Sequence, residues 1–322
     1  MDMEAKATTP QMIVKEKHHS FFIRVLLEII RQQPLAAIGA VIVLVMLLIG
    51  IFANFIAPYE YNEMVLADRL SPPSAAHILG TDQLGRDLLS RIIYGARISM
   101  YVGLAVPAIS VALSLIIGSI SGFFGGKTDI VIQRCVDAIM CFPGLVIVLT
   151  VIALTGPGLL QVILVLGILG GIGGQVRVIR SAVLSIKESV YVEAARSIGS
   201  SNTSTILRHI LPNIMAPVII IFTTSMGAAI LSEATLSFLG FGIPPPYPSW
   251  GGMLSRDGRP YMTLAPGLAL WPGLALAVVV WGVNMLGDGI RDVLDPRLKG
   301  GKGGRFERKV IKGKSSLDKK KN

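Results

Sequence analysis

The chain has 322 residues, of which 52% are hydrophobic and only 16% are charged, and its mean hydropathy is +0.64. Soluble domains carry about 25% charged residues, so this composition excludes an ordinary soluble protein and indicates an integral membrane protein. The net charge of +10 is concentrated in the carboxyl-terminal tail. Attraction to anionic membrane lipids explains that charge better than a nucleic-acid partner does.

Six apolar segments follow one another along the chain. Each is long enough, at about 1.5 Å per residue, to cross most or all of a hydrocarbon core of about 30 Å. Backbone groups in lipid must find their hydrogen bonds within the chain, so each segment should be helical. The sequence therefore predicts an all-α integral membrane fold with six transmembrane helices, at residues 35–57, 98–124, 130–154, 159–176, 216–239 and 264–286.

The distribution of lysine and arginine predicts the topology. These residues crowd both tails and the segment 177–208, which places all three on the cytoplasmic side. The first apolar segment follows a polar tail and is too long for a signal-peptide core, so we expect it to be retained. The predicted organisation is a cytoplasmic tail, a first transmembrane helix, an extracytoplasmic loop, a main transmembrane domain and a basic cytoplasmic tail, at residues 1–33, 34–57, 58–97, 98–292 and 293–322.

No pattern in the chain predicts an enzyme. The segment 122–128 resembles a phosphate-binding loop but has three residues between its glycines, where the pattern needs four. The glycines of 171–175 are explained by close helix packing. Cys135 and Cys141 fit no disulfide or metal pattern and are predicted to be buried thiols. We therefore expect no catalytic residue, metal site or cofactor, and energy for any transport must come from a partner or an ion gradient.

Residues 185–213 are predicted to form two short cytoplasmic helices that meet at Gly199. Glycine adopts left-handed backbone angles without strain, and Pro212 should end the second helix because it lacks an amide donor. The first helix is expected to present a small apolar face made of Val190, Ala194 and Ala195. A mechanical coupler that docks on another protein and a plain amphipathic surface hairpin explain these residues equally well.

Three acidic residues, Asp137, Glu233 and Asp288, lie within or near predicted transmembrane helices. A charge at the centre of such a helix costs about 2.5–3.5 kcal/mol, so we expect all three to face protein, water or an interface. Asp137 should pair with Arg134 on one helix face. Glu233 either lines a transport path or anchors the outer end of its helix, and the second interpretation is favoured because the membrane exit follows shortly.

The predicted outer segments contain a second group of candidates. Asp82, Arg86 and Asp87 combine a helix cap with charges at near-helical spacing, which favours structural support over docking of another protein. Trp250 lies among prolines and glycines and is predicted to be an anchor at the membrane interface. A docking or gating role for Trp250 is the alternative.

Several motifs carry a resemblance to a known family. Glu193-Ala194-Ala195, Gly199 and Ile210-Leu211-Pro212 resemble the EAA loop of permease subunits in ATP-binding cassette importers. Further motifs, at residues 77–87, 94–97, 231–240, 248–251 and 286–297, resemble the C-type permeases of the dipeptide, oligopeptide and nickel group, which have the type I (MetI-like) fold. The resemblance covers residues 34–298, although GGQVR at 173–177 departs from the family pattern.

The resemblance implies a non-catalytic membrane subunit in the inner membrane of a bacterium or archaeon. The expected partners are a second homologous permease, two ATPases that use ATP and Mg²⁺, and an extracytoplasmic substrate-binding protein. Short peptides are the expected substrate; nickel, glutathione or another small solute is the alternative, and an ion-driven secondary transporter is the alternative from another class. The residues that the resemblance assigns to ATPase coupling are Glu193, Ala194, Ala195, Arg196, Gly199, His209 and Pro212.

Overall fold

The computed structural model describes residues 33–294, and within that range the regular elements are helices, with one isolated bridge between Thr81 and Asp87. This confirms the all-α prediction. The predicted cytoplasmic tails lie outside the described residues, apart from the few that adjoin the first and last helices.

The main helices are α1 (Pro34–Ile51), α2 (Leu88–Phe124), α3 (Gly126–Met140), α4 (Gly144–Thr155), α5 (Leu159–Ile172), α6 (Gly174–Lys187), α7 (Val190–Ser197), α8 (Met215–Phe238), the short α9 (Trp250–Met253) and α10 (Gly267–Leu294). Shorter helical turns lie at Ala53–Ile56, Leu66–Asp68, Asn202–Ser204, Thr205–Ile210, Leu211–Ile214, Leu254–Gly258 and Arg259–Tyr261.

The helices agree with six membrane spans when two bent pairs are each counted once. By length and composition, α1, α2, α10 and the continuous run Asn202–Phe238 can each cross a membrane. Two further spans are formed if α3 with α4, and α5 with α6, are each taken as one broken span. The predicted continuous helices at 130–154 and 159–176 are therefore wrong in shape, since these pairs bend by 83° and 44°.

Local residues explain both bends. Between α3 and α4, Phe142 precedes Pro143, and the proline ring disfavours helical angles in the residue before it. Between α5 and α6, Gly173 adopts φ −84° and ψ −147°, outside the helical range. The mean hydropathy of a window of residues includes both sides of such a break, so it cannot detect the bend.

α2 begins at Leu88, well before the predicted position 98. Its first amide groups are capped by Asp87, whose carboxylate accepts a hydrogen bond from the Ser90 amide at 2.8 Å. The early part of the helix contains Arg91 and Arg97, which lower its hydropathy. Arg97 Nε donates to the carbonyl oxygen of Gly50 in α1 at 2.9 Å, so its charge is accommodated between the two helices.

α2 is the central helix and packs against α1, α5, α6 and α8. Its contact with α6 depends on two glycines four residues apart. A Cβ atom added at Gly118 would lie 2.8 Å from the Val176 carbonyl oxygen, and one added at Gly122 would lie 2.9 Å from the Arg180 carbonyl oxygen. These small residues let the two backbones approach closely, as is common between membrane helices.

We expect Gly118→Ala to destabilise the folded protein by about 1–3 kcal/mol, because its methyl group would push α6 away from α2. Thermal unfolding of the purified protein in detergent measures the loss. Gly144→Ala is the matched control, since a Cβ atom there would have no neighbour within 4 Å. Equal melting temperatures for the two variants would contradict the close-packing account.

Cys135 and Cys141 are both exposed, so the prediction that they are buried thiols is wrong. The reason is that α3 buries only Val136 against the rest of the described chain. The apolar segment predicts a helix packed on several sides, whereas α3 is amphipathic and contacts its neighbours along one narrow face.

Candidate functional site

The 185–213 segment lies at the end of α2 that contains Phe123. The predicted helix 185–197 is interrupted at Glu188 and Ser189, where Ser189 adopts the extended angles of a helix-capping residue before α7. The structure therefore has α6 and α7 as separate helices, and α7 can take a direction different from that of α6.

One side of α7 is buried and the other is exposed. Val192 and Ala195 face the protein and are 0% and 7% exposed. Of the predicted apolar face, Val190 is 82% exposed and Ala194 is also exposed, whereas Ala195 points to the protein. Val190, Ala194 and Ile198 stand four residues apart and form an exposed apolar stripe, with Ile198 at 88% exposure.

Charged residues flank this exposed stripe. Glu193 and Arg196 are both exposed. The Arg196 guanidinium lies 4.7 Å from the centre of the Phe123 ring at the end of α2. This cation–π contact attaches α7 to the central helix.

Gly199 ends α7 in a Schellman motif. Its φ is +88°, the Ser200 amide donates to the Ala195 carbonyl oxygen at 3.0 Å, and the Gly199 amide donates to the Arg196 carbonyl oxygen at 2.9 Å. A Cβ atom at Gly199 would meet nothing within 4 Å. Glycine is therefore required here by the backbone angles and not by a lack of space.

The chain does not leave the helical path at Pro212, in contrast to the prediction. A π turn at Thr205–Ile210 and a 3₁₀ turn at Leu211–Ile214 carry it directly into α8. The proline lies in the first turn of the 3₁₀ segment, where a missing amide donor does little harm. His209 is half-buried and its carbonyl oxygen accepts from Asn213 Nδ2 at 2.7 Å, while Pro212 is exposed.

Two ion pairs join α6 to α3. Asp137 pairs with Arg177 of α6, and it also lies 3.8 Å from Arg134 as the sequence predicts. Asp129 receives two hydrogen bonds from the Arg180 guanidinium. The ion pairs thus link α6 to α3, which continues through the 83° bend into α4.

A cavity of about 530 Å³ lies between α2, α4, α5 and α8. Gln175, at the first turn of α6 beside the Gly173 bend, reaches into it. Gln175 Oε1 accepts from Ser110 Oγ at 3.1 Å, and Gln175 Nε2 donates to Ser225 Oγ at 2.9 Å. The glutamine thus joins α2 and α8 at the wall of the cavity.

A larger cavity, of about 1040 Å³, opens near the amino-terminal end of α2, which is the end away from the 185–213 segment. Several tyrosines line it. Tyr61 stacks on Tyr247 with ring centres 5.7 Å apart, and burial raises the pKa of Tyr61. This cavity presents aromatic and hydroxyl groups on the side of the predicted extracytoplasmic loop.

A buried cluster of charges lies near this tyrosine-lined cavity. Asp82 accepts from Arg86 Nε at 2.6 Å and also lies 3.4 Å from Arg91 Nε. Arg91 Nη2 contacts Asp257 Oδ2 at 3.4 Å, and Asp257 accepts from Gln83 Nε2 at 2.6 Å. Burial raises the pKa of Asp257, with Arg91 acting in the opposite direction. Two carboxylates and two guanidiniums together form a neutral buried network.

Asp87 belongs to the same region but has a separate role. It caps α2 and accepts from His77 Nδ1 at 3.0 Å if that nitrogen carries the proton. The Ser90 hydroxyl donates to it as well, at 2.8 Å. The predicted helix cap is thus at Asp87, whereas Asp82 forms the ion pairs.

The remaining candidates differ in exposure. Trp250 is only 3% exposed, and its Nε1 donates to the Ile92 carbonyl oxygen at 3.1 Å, so the predicted interfacial anchor is wrong. Gly95 leaves the space for its indole ring. Glu233 is 1% exposed and accepts from Ser237 Oγ at 2.6 Å, so it lines neither cavity. Asp288 is exposed on α10.

Sequence reasoning missed three residues that the fold makes important. Arg91 and Asp257 complete the buried charge network, yet they are far apart in the chain and Asp257 stands in no motif. Gln175 was visible only as part of a glycine-rich stretch. Its one available signal was a polar side chain with amide hydrogen-bonding capacity inside a predicted membrane helix.

The chain is similar to known membrane transport proteins. Residues 114–300 match the family described as binding-protein-dependent transport system inner membrane component, and residues 21–73 match the N-terminal transmembrane domain of oligopeptide transport permease C. The dipeptide transport system permease protein DppC of Alkalihalophilus pseudofirmus is 40% identical over 84% of this chain and 88% of its own length. The glutathione transport system permease protein GsiD of Escherichia coli is 38% identical over 89% of this chain and 93% of its own length.

Proposed function

The chain belongs to the family of binding-protein-dependent transport system inner membrane components, and we propose that it forms half of the translocation path of an ATP-driven peptide importer. The family is one of multi-pass, non-catalytic permeases. The exposed apolar stripe on α7 is the observation that carries the proposal of ATP-driven coupling. Val190 and Ile198 are 82% and 88% exposed and lie in one stripe with Ala194, and a contiguous exposed apolar patch marks a surface that binds another protein or a membrane.

The partner that fits this stripe is an ATPase subunit with a groove for a short helix. Val190, Ala194 and Ile198 would enter the groove, and Glu193 would lie at its edge. Ala195 is buried and Gly199 shapes the helix end, so these two would act by holding α7 in place. Arg196 would hold the loop against Phe123 of α2, and His209 and Pro212 would stabilise the turns that lead into α8.

Movement of α7 would reach the membrane through α6. Gly118 and Gly122 hold α6 tightly against α2, and the ion pairs to Asp129 and Asp137 join it to α3. Closure of two ATPases on ATP and Mg²⁺ would therefore rearrange the helices around the Gln175 cavity. This chain would itself bind no cofactor.

Peptides are the substrate class that the relatives favour. One is named for dipeptide and the other for glutathione, which is itself a peptide. A complete importer would contain a second homologous permease, two ATPases and an extracytoplasmic binding protein, with both termini of this chain in the cytoplasm. The tyrosine-lined outer cavity would then face the binding protein.

Affinity purification of the tagged full chain from membranes tests the proposal. We expect a second permease and ATPase subunits to co-purify, and ATP hydrolysis by the reconstituted complex to rise when dipeptide and binding protein are both present. Stimulation by nickel or another solute but not by peptides would reassign the substrate. Ion-driven uptake by the chain without an ATPase would overturn the proposal.

A further inference from the structure

We propose that the cavity around Gln175 binds the backbone amide of a peptide in transit, so that this chain selects for amide groups as well as providing a path. The inference rests on the proposed function. Its physical basis is the hydrogen-bonding arrangement of one glutamine side chain in a cavity of about 530 Å³, a size suited to small-molecule ligands.

The orientation of the Gln175 amide follows from its neighbours. Ser225 Oγ lies 2.6 Å from the Ile221 carbonyl oxygen and donates its hydrogen there, so it can only accept from Gln175 Nε2. The glutamine oxygen therefore points to Ser110 Oγ at 3.1 Å, and the Ser110 hydroxyl donates to it in preference to the Pro107 carbonyl oxygen, which lies farther away at 3.4 Å. Ser110 is 2% exposed, so the contact between Gln175 Oε1 and Ser110 lies inside the protein.

Half of the hydrogen-bonding capacity of Gln175 remains after these two contacts. A side-chain amide has two N–H donors and an oxygen with two lone pairs. Ser225 takes one donor and Ser110 takes one lone pair, which leaves one donor and one acceptor on the same planar group. A trans peptide unit points its carbonyl oxygen and its N–H in opposite directions, so Gln175 would meet one of them at a time, and the N–H would donate to the free lone pair of Gln175 Oε1.

The rest of the lining is suited to peptides of varied sequence. Every described residue that lines the cavity is uncharged, and hydroxyl groups of Ser232 and Thr235 lie along α8 beside apolar side chains. An uncharged wall neither traps nor repels a charged substrate side chain by direct charge pairing. Selection would therefore act on the feature that all peptides share, which is the backbone amide.

The position of Gln175 suits a site that changes during transport. It lies in the first turn after the 44° bend at Gly173, on the same helix whose arginines pair with α3. Displacement of α6 would draw Gln175 away from Ser110 or Ser225. The site would thus bind the amide in one arrangement of the helices and release it in another.

The experiment compares a dipeptide with its ester analogue, in which oxygen replaces the amide N–H. The reconstituted complex, with binding protein saturated by either compound, is assayed for uptake into proteoliposomes. We expect Gln175→Met, which keeps length but removes the hydrogen-bonding groups, to lower the amide-to-ester rate ratio about three- to tenfold, the effect of one neutral hydrogen bond. Ser225→Ala should lower the ratio by a smaller factor, because the Gln175 amide then loses its contact with Ser225 but keeps its contact with Ser110.

Gln161→Met is the matched control, since Gln161 lies on α5 outside the cavity and this variant should keep the wild-type ratio. A purely structural role for Gln175 would slow both compounds equally. An unchanged ratio in both Gln175→Met and Ser225→Ala, with dipeptide uptake by the wild type intact, would overturn the inference alone. Absence of peptide uptake by the wild-type complex would overturn the proposed function as well.

Discussion

Replacement of Gly199 by valine is expected to abolish the stimulation of ATP hydrolysis by substrate while leaving membrane insertion intact. The φ of +88° costs an ordinary residue roughly 1–2 kcal/mol and costs a β-branched residue more. The Schellman motif would open and α7 would leave its place against Phe123. ATPase assays of the reconstituted complex, with and without loaded binding protein, measure the effect.

Gly156→Val is a closely matched control for this variant. Gly156 has φ +87°, and a Cβ atom there would also meet nothing within 4 Å, but it lies between α4 and α5. Because Gly156 has ψ 156°, in a region that is essentially restricted to glycine, a backbone strain at least comparable to that at Gly199 is thus placed outside the 185–213 segment. We expect Gly156→Val to lose some stability and to keep stimulated hydrolysis; retention of stimulation by Gly199→Val would refute the coupling role of Gly199.

Loss of the Asp257 carboxylate is expected to destabilise the protein by about 3–5 kcal/mol, enough to remove most folded permease from the membrane. Asp257→Asn keeps the shape of the side chain but leaves Arg91 and Arg86 with Asp82 as their one anionic partner in the buried network. A buried charge left without its partner costs far more than the pair contributes. The yield of monodisperse protein after solubilisation and its melting temperature report the loss.

Asp288→Asn is the control for removal of an aspartate charge in this chain, because Asp288 is exposed and substitution there should change stability by about 0.5 kcal/mol or less. The double variant Arg91→Met with Asp257→Asn should recover part of the loss, since it removes the uncompensated cation. If Asp257→Asn and Asp288→Asn melt at the same temperature, the buried network does not stabilise the fold.

Burial of the described residues shows where local patterns mislead. Trp250 has the flanking prolines and glycines of an interfacial anchor, but the absence of a side chain at Gly95 opens a space on α2 that the indole fills. Ala195 belongs with Val190 and Ala194 to the predicted apolar face of α7, yet it packs inward beside Val192 while the other two are exposed. In both cases, the burial of a side chain depends on the shape of another part of the fold.

The sequence by itself determined the membrane setting and the helical class. These follow from local properties, because a long apolar segment leaves water and must then satisfy its own backbone hydrogen bonds. The turn at Gly199 and the family motifs are local as well, since a left-handed residue and a short run of residue types are visible without any neighbour in space.

Only the tertiary structure decided which distant residues meet. It brought Asp257 to Arg91, Gln175 to Ser110 and Ser225, and Arg177 to Asp137, each from a different part of the chain. It also decided that α7 presents an apolar stripe outward. Such contacts depend on how bent helices pack at Gly173 and Pro143, and packing is a property of several surfaces together, which no single stretch of sequence contains.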